Sequence, residues 1–154
     1  MKTFRIRRED IRRRWHLIDA AGQTLGKVAV RAAHLLMGKD SPTFTPGTDC
    51  GDFVVVTNAE KVRASGHKLD KKMYRHHTLY LGGLVEEPMS SLLNRKPQRV
   101  IQMAVRRMLP KNTVGKHSFG RLKVYAGKDH PHAAQNPVAI AVSRRPAQPA
   151  AARS

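Results

Sequence analysis

The chain has 154 residues, with 29 Lys and Arg against 11 Asp and Glu, a formal net charge of +18 and a pI near 11.1. That length suits one domain with its own core, and the charge excess exceeds what solubility needs, so it points to a polyanionic partner. No apolar run approaches the ~18–20 residues of a bilayer span, and there is neither a lipidation site nor an aromatic-rich amphipathic segment to favour a membrane surface.

The first 14 residues hold Lys2, Arg5, Arg7, Arg8, Arg12, Arg13 and Arg14, with little to bury beyond Phe4, Ile6 and Ile11. They lack the apolar stretch of a secretory signal, and Glu9 and Asp10 argue against a transit peptide. They are expected to form a basic arm. Trp15 to Ile18 is short and apolar, then Asp19 and Gly22 follow, which suits a strand ending in a turn. Thr24 is placed to cap a helix whose apolar stripe is Leu25, Val28, Ala29, Ala32, Leu35 and Leu36, with Lys27, Arg31 and His34 opposite. Gly38 stands where a helix C-cap glycine belongs, and Pro42 and Pro46 mark a loop. Phe53 to Val56 is apolar without alternation, as in a parallel sheet covered on both faces.

After Asn58 the pattern weakens. Residues 73–80 suit a strand, Gly82-Gly83 breaks the chain, and Glu86-Glu87 beside the break suits a solvated turn. Ser90 to Leu93 opens a helix, and Pro97 either begins a second helix or kinks a continuous one. Over 98–109 a helix is expected with Val100, Ile101, Ala104, Val105 and Met108 on its buried face and Arg99, Gln102 and Arg106 opposite. Leu109-Pro110 ends it, and Leu122 to Tyr125 reads as a strand. From about Gly127 the chain is rich in Ala and Pro, a composition that cannot order itself alone. The division expected is a 1–14 extension, one α/β domain over 15–126 and an extended 127–154 tail.

The stretch from Pro88 to Lys128 contains no Asp or Glu but ten Lys and Arg. Like charges held together destabilise a compact state, so this periodic, folded stretch reads as a surface for nucleic acid. Lys68, Lys71, Lys72 and Arg75 interleave with Tyr74, His76, His77 and Tyr80, pairing phosphate-neutralising cations with rings that stack on unpaired bases. Gly22 to Lys27 lies between a strand and a helix, but it has three residues between its glycines and Val28 after the Lys, so it does not match a phosphate loop. A tight turn is the plain reading, with an α/β enzyme using nucleotide as the competing one. The helix N-terminus with Lys27 could still hold a backbone phosphate. Adjacent His76-His77 point to opposite faces of a strand, and His130 with His132 lacks a further ligand beyond Asp129, so no metal site is expected. Cys50 has no C-x-x-C partner, cannot form an internal disulfide and suits a reducing compartment. Neither a cofactor nor catalysis is expected.

The segments WHLIDAAGQTLGKVA, FTPGTDCGDFVVVTNAEKV, YRHH, Gly82-Gly83, AVRRMLPKN, LKVYAG and HPHAAQNP, in this order, resemble the universal large-subunit ribosomal protein thirteen family of bacterial type. The resemblance spans residues 15–137. It implies a three-layer α/β/α sandwich around a short, mostly parallel sheet, and a cytoplasmic ribosomal component that binds large-subunit ribosomal RNA and joins the subunit early in assembly. It also implies neighbouring ribosomal proteins as partners, with no membrane, cofactor or small-molecule substrate. Arg5, Arg7, Arg12, Arg13 and Arg14 are then expected as an arm on RNA, and Lys68, Lys71, Lys72, Arg75 and His76 as a loop-side patch. Arg99, Arg106, Arg107, Lys111, Lys116, Arg121 and Lys123 are expected to form the main surface.

Overall fold

Val54, Val55 and Val56 put branched carbons on both faces of an extended chain, an arrangement stable only where both faces are covered. In a computed structural model, which describes residues 6–142 apart from the Arg8 side chain, all three are fully buried in β2 (Phe53–Thr57). Arg5 and residues 143–154 lie outside the described residues. β2 lies between β1 (Trp15–Asp19) and β5 (Leu122–Val124), and β6 (Val138–Ala139) pairs with the other edge of β1. The order is β5-β2-β1-β6 and every pairing is parallel. The fold is α/β.

Parallel strands need a crossover, and α1 (Leu25–Met37) supplies the one between β1 and β2. Its buried residues include Val28, Ala29, Ala32, Leu35 and Leu36 of the expected stripe, while Leu25 is only partly buried. Gly38 ends it at φ 76°, its N–H donating to the His34 and Leu35 carbonyls. A Cβ there would come within 2.6 Å of the Cys50 carbonyl oxygen, so both conformation and space require glycine. Thr24 occupies the N-cap position without a side-chain cap bond, and bridges to Arg63 instead.

α1 packs on α4 (Pro97–Met108), and α5 (Thr113–Gly120) touches both α1 and β5. One core joins Ile18, Val54, Val56, Leu122 and Val124 of the sheet to Ala32 and Leu36 of α1 and Ile101 and Val105 of α4. Residues in the alternate rows point to the other face. There Trp15 stacks on Phe53 with ring centroids 4.4 Å apart, and His132 lies 5.0 Å from Trp15.

Outside the sheet, α2 (Lys68–Lys71), β3 (Met73–His77), β4 (Leu84–Pro88) and α3 (Met89–Arg95) form a subsidiary unit. β3 and β4 make an antiparallel hairpin, and α3 packs on α4. Pro97 is the first residue of α4, so it begins a second helix and does not kink one.

Five features differ from expectation. Glu86 and Glu87 belong to β4 and not to a turn, because Arg75 and Tyr74 stand opposite them. The strand expected over 73–80 ends at His77, where Thr78 to Gly83 close the hairpin. Met108 is 40% exposed and off the buried face, since the apolar stripe ends at Val105 and Leu109. Helix α5 was not legible from periodicity, and Asn112 starts it by accepting the Gly115 N–H at 2.8 Å. Beyond Gly127, β6 and the partly buried Ile140 and Val142 are ordered by the sheet and core, not by their own composition.

Candidate nucleic-acid interface

Two carboxylates decide which cations are tied inward. Asp49 accepts from Arg121 Nη1 at 2.7 Å and Nη2 at 2.5 Å, and from Arg13 at 3.2 Å. Arg121 also donates to the Leu36 carbonyl and to Ser118 Oγ, and is 6% exposed. It was expected on the outer basic surface, but the end of α5 turns its fork into the body. Burial raises the Asp49 pKa, but the Arg121 hydrogen bonds and charge outweigh that and hold it below the usual carboxylate range. Asp52 is lowered in the same way: burial opposes ionisation, while His16 Nε2 at 2.9 Å and the Arg14 N–H stabilise it. Gly51 between them cannot carry a side chain, since a Cβ would lie 1.7 Å from the Leu36 carbonyl oxygen. The segment is a clamp. Sequence reading missed it, although two acids flanking Cys-Gly in so basic a chain were a usable signal.

The cations left over gather elsewhere. Lys68, Arg99, Arg106, Arg107, Lys111 and Lys116 are exposed and Lys72 is half-buried, and among the described residues none of the seven forms an ion pair. Arg99 and Arg106 project from α4 away from Ile101 and Val105, Lys111 follows the helix, and Lys116 lies on α5. Two groups that are separate in sequence meet at Tyr74. Lys72 Nζ lies 5.6 Å and Arg107 Cζ 6.0 Å from its ring centroid. Burial pushes the Tyr74 phenol upward despite the opposing charge of Arg107.

Other expected residues divide. Arg75 is exposed but pairs with Glu86, as Arg95 does with Glu87. Lys71 and His76 are exposed on α2 and β3, and Lys27 is exposed on α1. Lys123 is half-buried on β5, in the row pointing away from the α1–α4 core. Arg7, Arg12 and Arg14 are exposed.

The hairpin tip is apolar. Leu79, Tyr80 and Leu81 are 92%, 80% and 106% exposed, and Leu79 has φ 75°. A branched residue is uncommon in that region, and holding it there costs on the order of 1–3 kcal/mol. The turn is held by Thr78 N–H to the Gly83 carbonyl and Leu79 N–H to His77 Nδ1.

The turn at Gly22 is unlike a phosphate loop. The Gly22, Gln23 and Leu25 amides donate to the Lys61, Ala20 and Arg63 carbonyls, so they do not face an anion. His132 Nε2 lies 2.8 Å from the Tyr125 hydroxyl and packs among rings. Among the described residues, no group of three or more His, Cys, Asp and Glu could hold a metal, and no helix is long and apolar enough to cross a membrane.

Residues 13–131 match the family model described as Ribosomal protein L13. The chain is 49% identical over 142 residues to large ribosomal subunit protein uL13 of Aquifex aeolicus, covering 92% of this chain and 99% of that one. Against the protein of the same name from Clostridium botulinum, strain Eklund 17B, identity is 50% over 137 residues, covering 89% and 95%. The Teredinibacter turnerae protein of that name gives 49% over 142 residues, covering 92% and 100%.

Proposed function

Because the chain belongs to the ribosomal protein L13 family, a structural family of the large ribosomal subunit acting in translation and not an enzyme family, we propose that it binds large-subunit ribosomal RNA and supports early assembly of that subunit. One observation carries this reading: seven cations without carboxylate partners, six of them exposed, stand on or beside folded elements from α2 through α4 to α5. Their mutual repulsion is unfavourable until an anion neutralises it. RNA phosphates do so while releasing counterions. Low aromatic content, 5%, favours recognition of backbone and shape over reading of many bases. The exposed Leu79, Tyr80 and Leu81 support packing of the hairpin tip against a neighbouring ribosomal protein.

The test is the salt dependence of binding to large-subunit ribosomal RNA. Each neutralised phosphate contributes about −0.7 to −0.9 to the slope of log affinity against log salt. A steep slope is expected, and a nearly salt-independent affinity would refute the reading. Charge reversal at Arg106 and Arg107 is expected to weaken binding more than reversal at Lys39, which is exposed outside these patches.

A further inference from the structure

A cavity of about 240 Å³ opens where the start of α1, the 64–65 turn, α2, β3 and the end of α4 meet. Its inner wall is apolar, with Leu25, Met89 and Ala104, and Met89 is fully buried. Tyr74 and the 40% exposed Met108 also line it. Lys68, Lys72 and Arg107 line it too, Lys68 and Arg107 exposed and Lys72 half-buried. No carboxylate lines it.

These two halves make different demands. Three cations without a counter-charge call for an anion, and a flat cationic surface would hold a phosphate equally well. An apolar hollow beneath them gains nothing from phosphate and calls for an uncharged group attached to it. Pockets for drug-sized ligands run to ~300–1,000 Å³, so this one suits a single ring system and not a folded peptide. Burial favours the neutral phenol of Tyr74, so that wall stays uncharged. Thioether sulfur and the Tyr74 ring are polarisable surfaces well suited to an aromatic guest.

We propose that this cavity receives the base of one unpaired nucleotide of the ribosomal RNA, with the adjoining phosphate held by Lys72 and Arg107. The proposal rests on the reading of the chain as an RNA-binding protein. It adds that one base is captured among contacts otherwise made to backbone.

Ala104→Leu fills the hollow without touching a charge, whereas Arg107→Gln removes a charge without filling it. Full-length protein and transcribed large-subunit ribosomal RNA are titrated across a salt series. Ala104→Leu is expected to lose roughly tenfold in affinity, the scale of one base–aromatic contact, with an unchanged salt slope. Arg107→Gln is expected to weaken binding and flatten the slope by about 0.7–0.9. Wild-type binding with a steep slope, together with a folded Ala104→Leu protein of undiminished affinity, overturns the cavity proposal and leaves the RNA-binding reading intact. Salt-independent wild-type binding overturns both. Should Ala104→Leu not fold, photo-crosslinking of the wild-type protein to 4-thiouridine-substituted RNA decides. Adducts at Tyr74 or Met108 support the proposal, and adducts confined to α4 away from the cavity overturn it.

Discussion

Asp49 shows how one carboxylate sorts identical cations. It binds Arg121, 6% exposed, and Arg13, while Arg106 and Arg107 are left outside. Removing one partner of a buried pair leaves an uncompensated charge, so Asp49→Asn is expected to cost about 3 kcal/mol at neutral pH. For a chain of this size that lowers the melting temperature by about 6–12 °C, measurable by circular dichroism. Asp49 and Asp52 both titrate below the ordinary value when folded. Their contribution is therefore complete above the unfolded value of about 3.9 and is lost as pH falls through the lower folded values. Wild-type melting temperature should hold down to about pH 5 and fall steeply below about pH 4, and Asp49→Asn should start lower and fall less steeply. Charge counting could not separate Arg121 from its neighbours, because burial depends on Asp49, which lies far away in sequence.

At the scale of elements, α1, α4 and β2 were legible because their apolar spacing matches how they pack. Helix α5 was not, since Gly115, Ser118 and Gly120 give it little apolar stripe and Asn112 supplies its start. Strand β4 was hidden for a related reason: Glu86 is exposed and Glu87 half-buried, and both hold their places through ion pairs with Arg75 and Arg95. Gly115 then carries a sharp prediction. Replacing a helical Gly by Ala gains up to about 1 kcal/mol from propensity alone. A Cβ at Gly115 would lie 1.8 Å from the Pro110 carbonyl oxygen, whereas at Gly120 it meets nothing within 4 Å. Overpacking costs about 1–3 kcal/mol, so Gly115→Ala should destabilise while Gly120→Ala is neutral or stabilising. Urea melts of the two variants compare them directly, and equal midpoints would contradict the account.

For the molecule as a whole, the sequence foretold a basic α/β body but treated everything beyond Gly127 as tail. Composition measures what a segment can bury by itself, and residues 138–142 are ordered on surfaces made elsewhere. The Ile140 N–H donates to the Leu17 carbonyl at 2.8 Å, and Ile140 and Val142 pack on the main core. Deleting residues 138–154 is therefore expected to cost roughly 3 kcal/mol, from burial worth about 1.5–3 kcal/mol per large apolar side chain when complete. A thermal melt unchanged by the deletion would show that β6 contributes nothing. The RNA-facing cations were legible one by one, but their convergence on Tyr74 was not, because Lys72 and Arg107 meet only through the packing of α3 against α4.

The strand order β5-β2-β1-β6 also sets a timetable. A chain made from its N-terminus can pair β1 with β2 once residue 57 is free, add β5 after residue 124, and close the remaining edge of β1 only after residue 139. Pairing across such separations is slow, and an unpaired edge invites association with other chains. For most of its synthesis the polypeptide carries that edge open. The strand that seals it, β6, is the last of the described strands to be made.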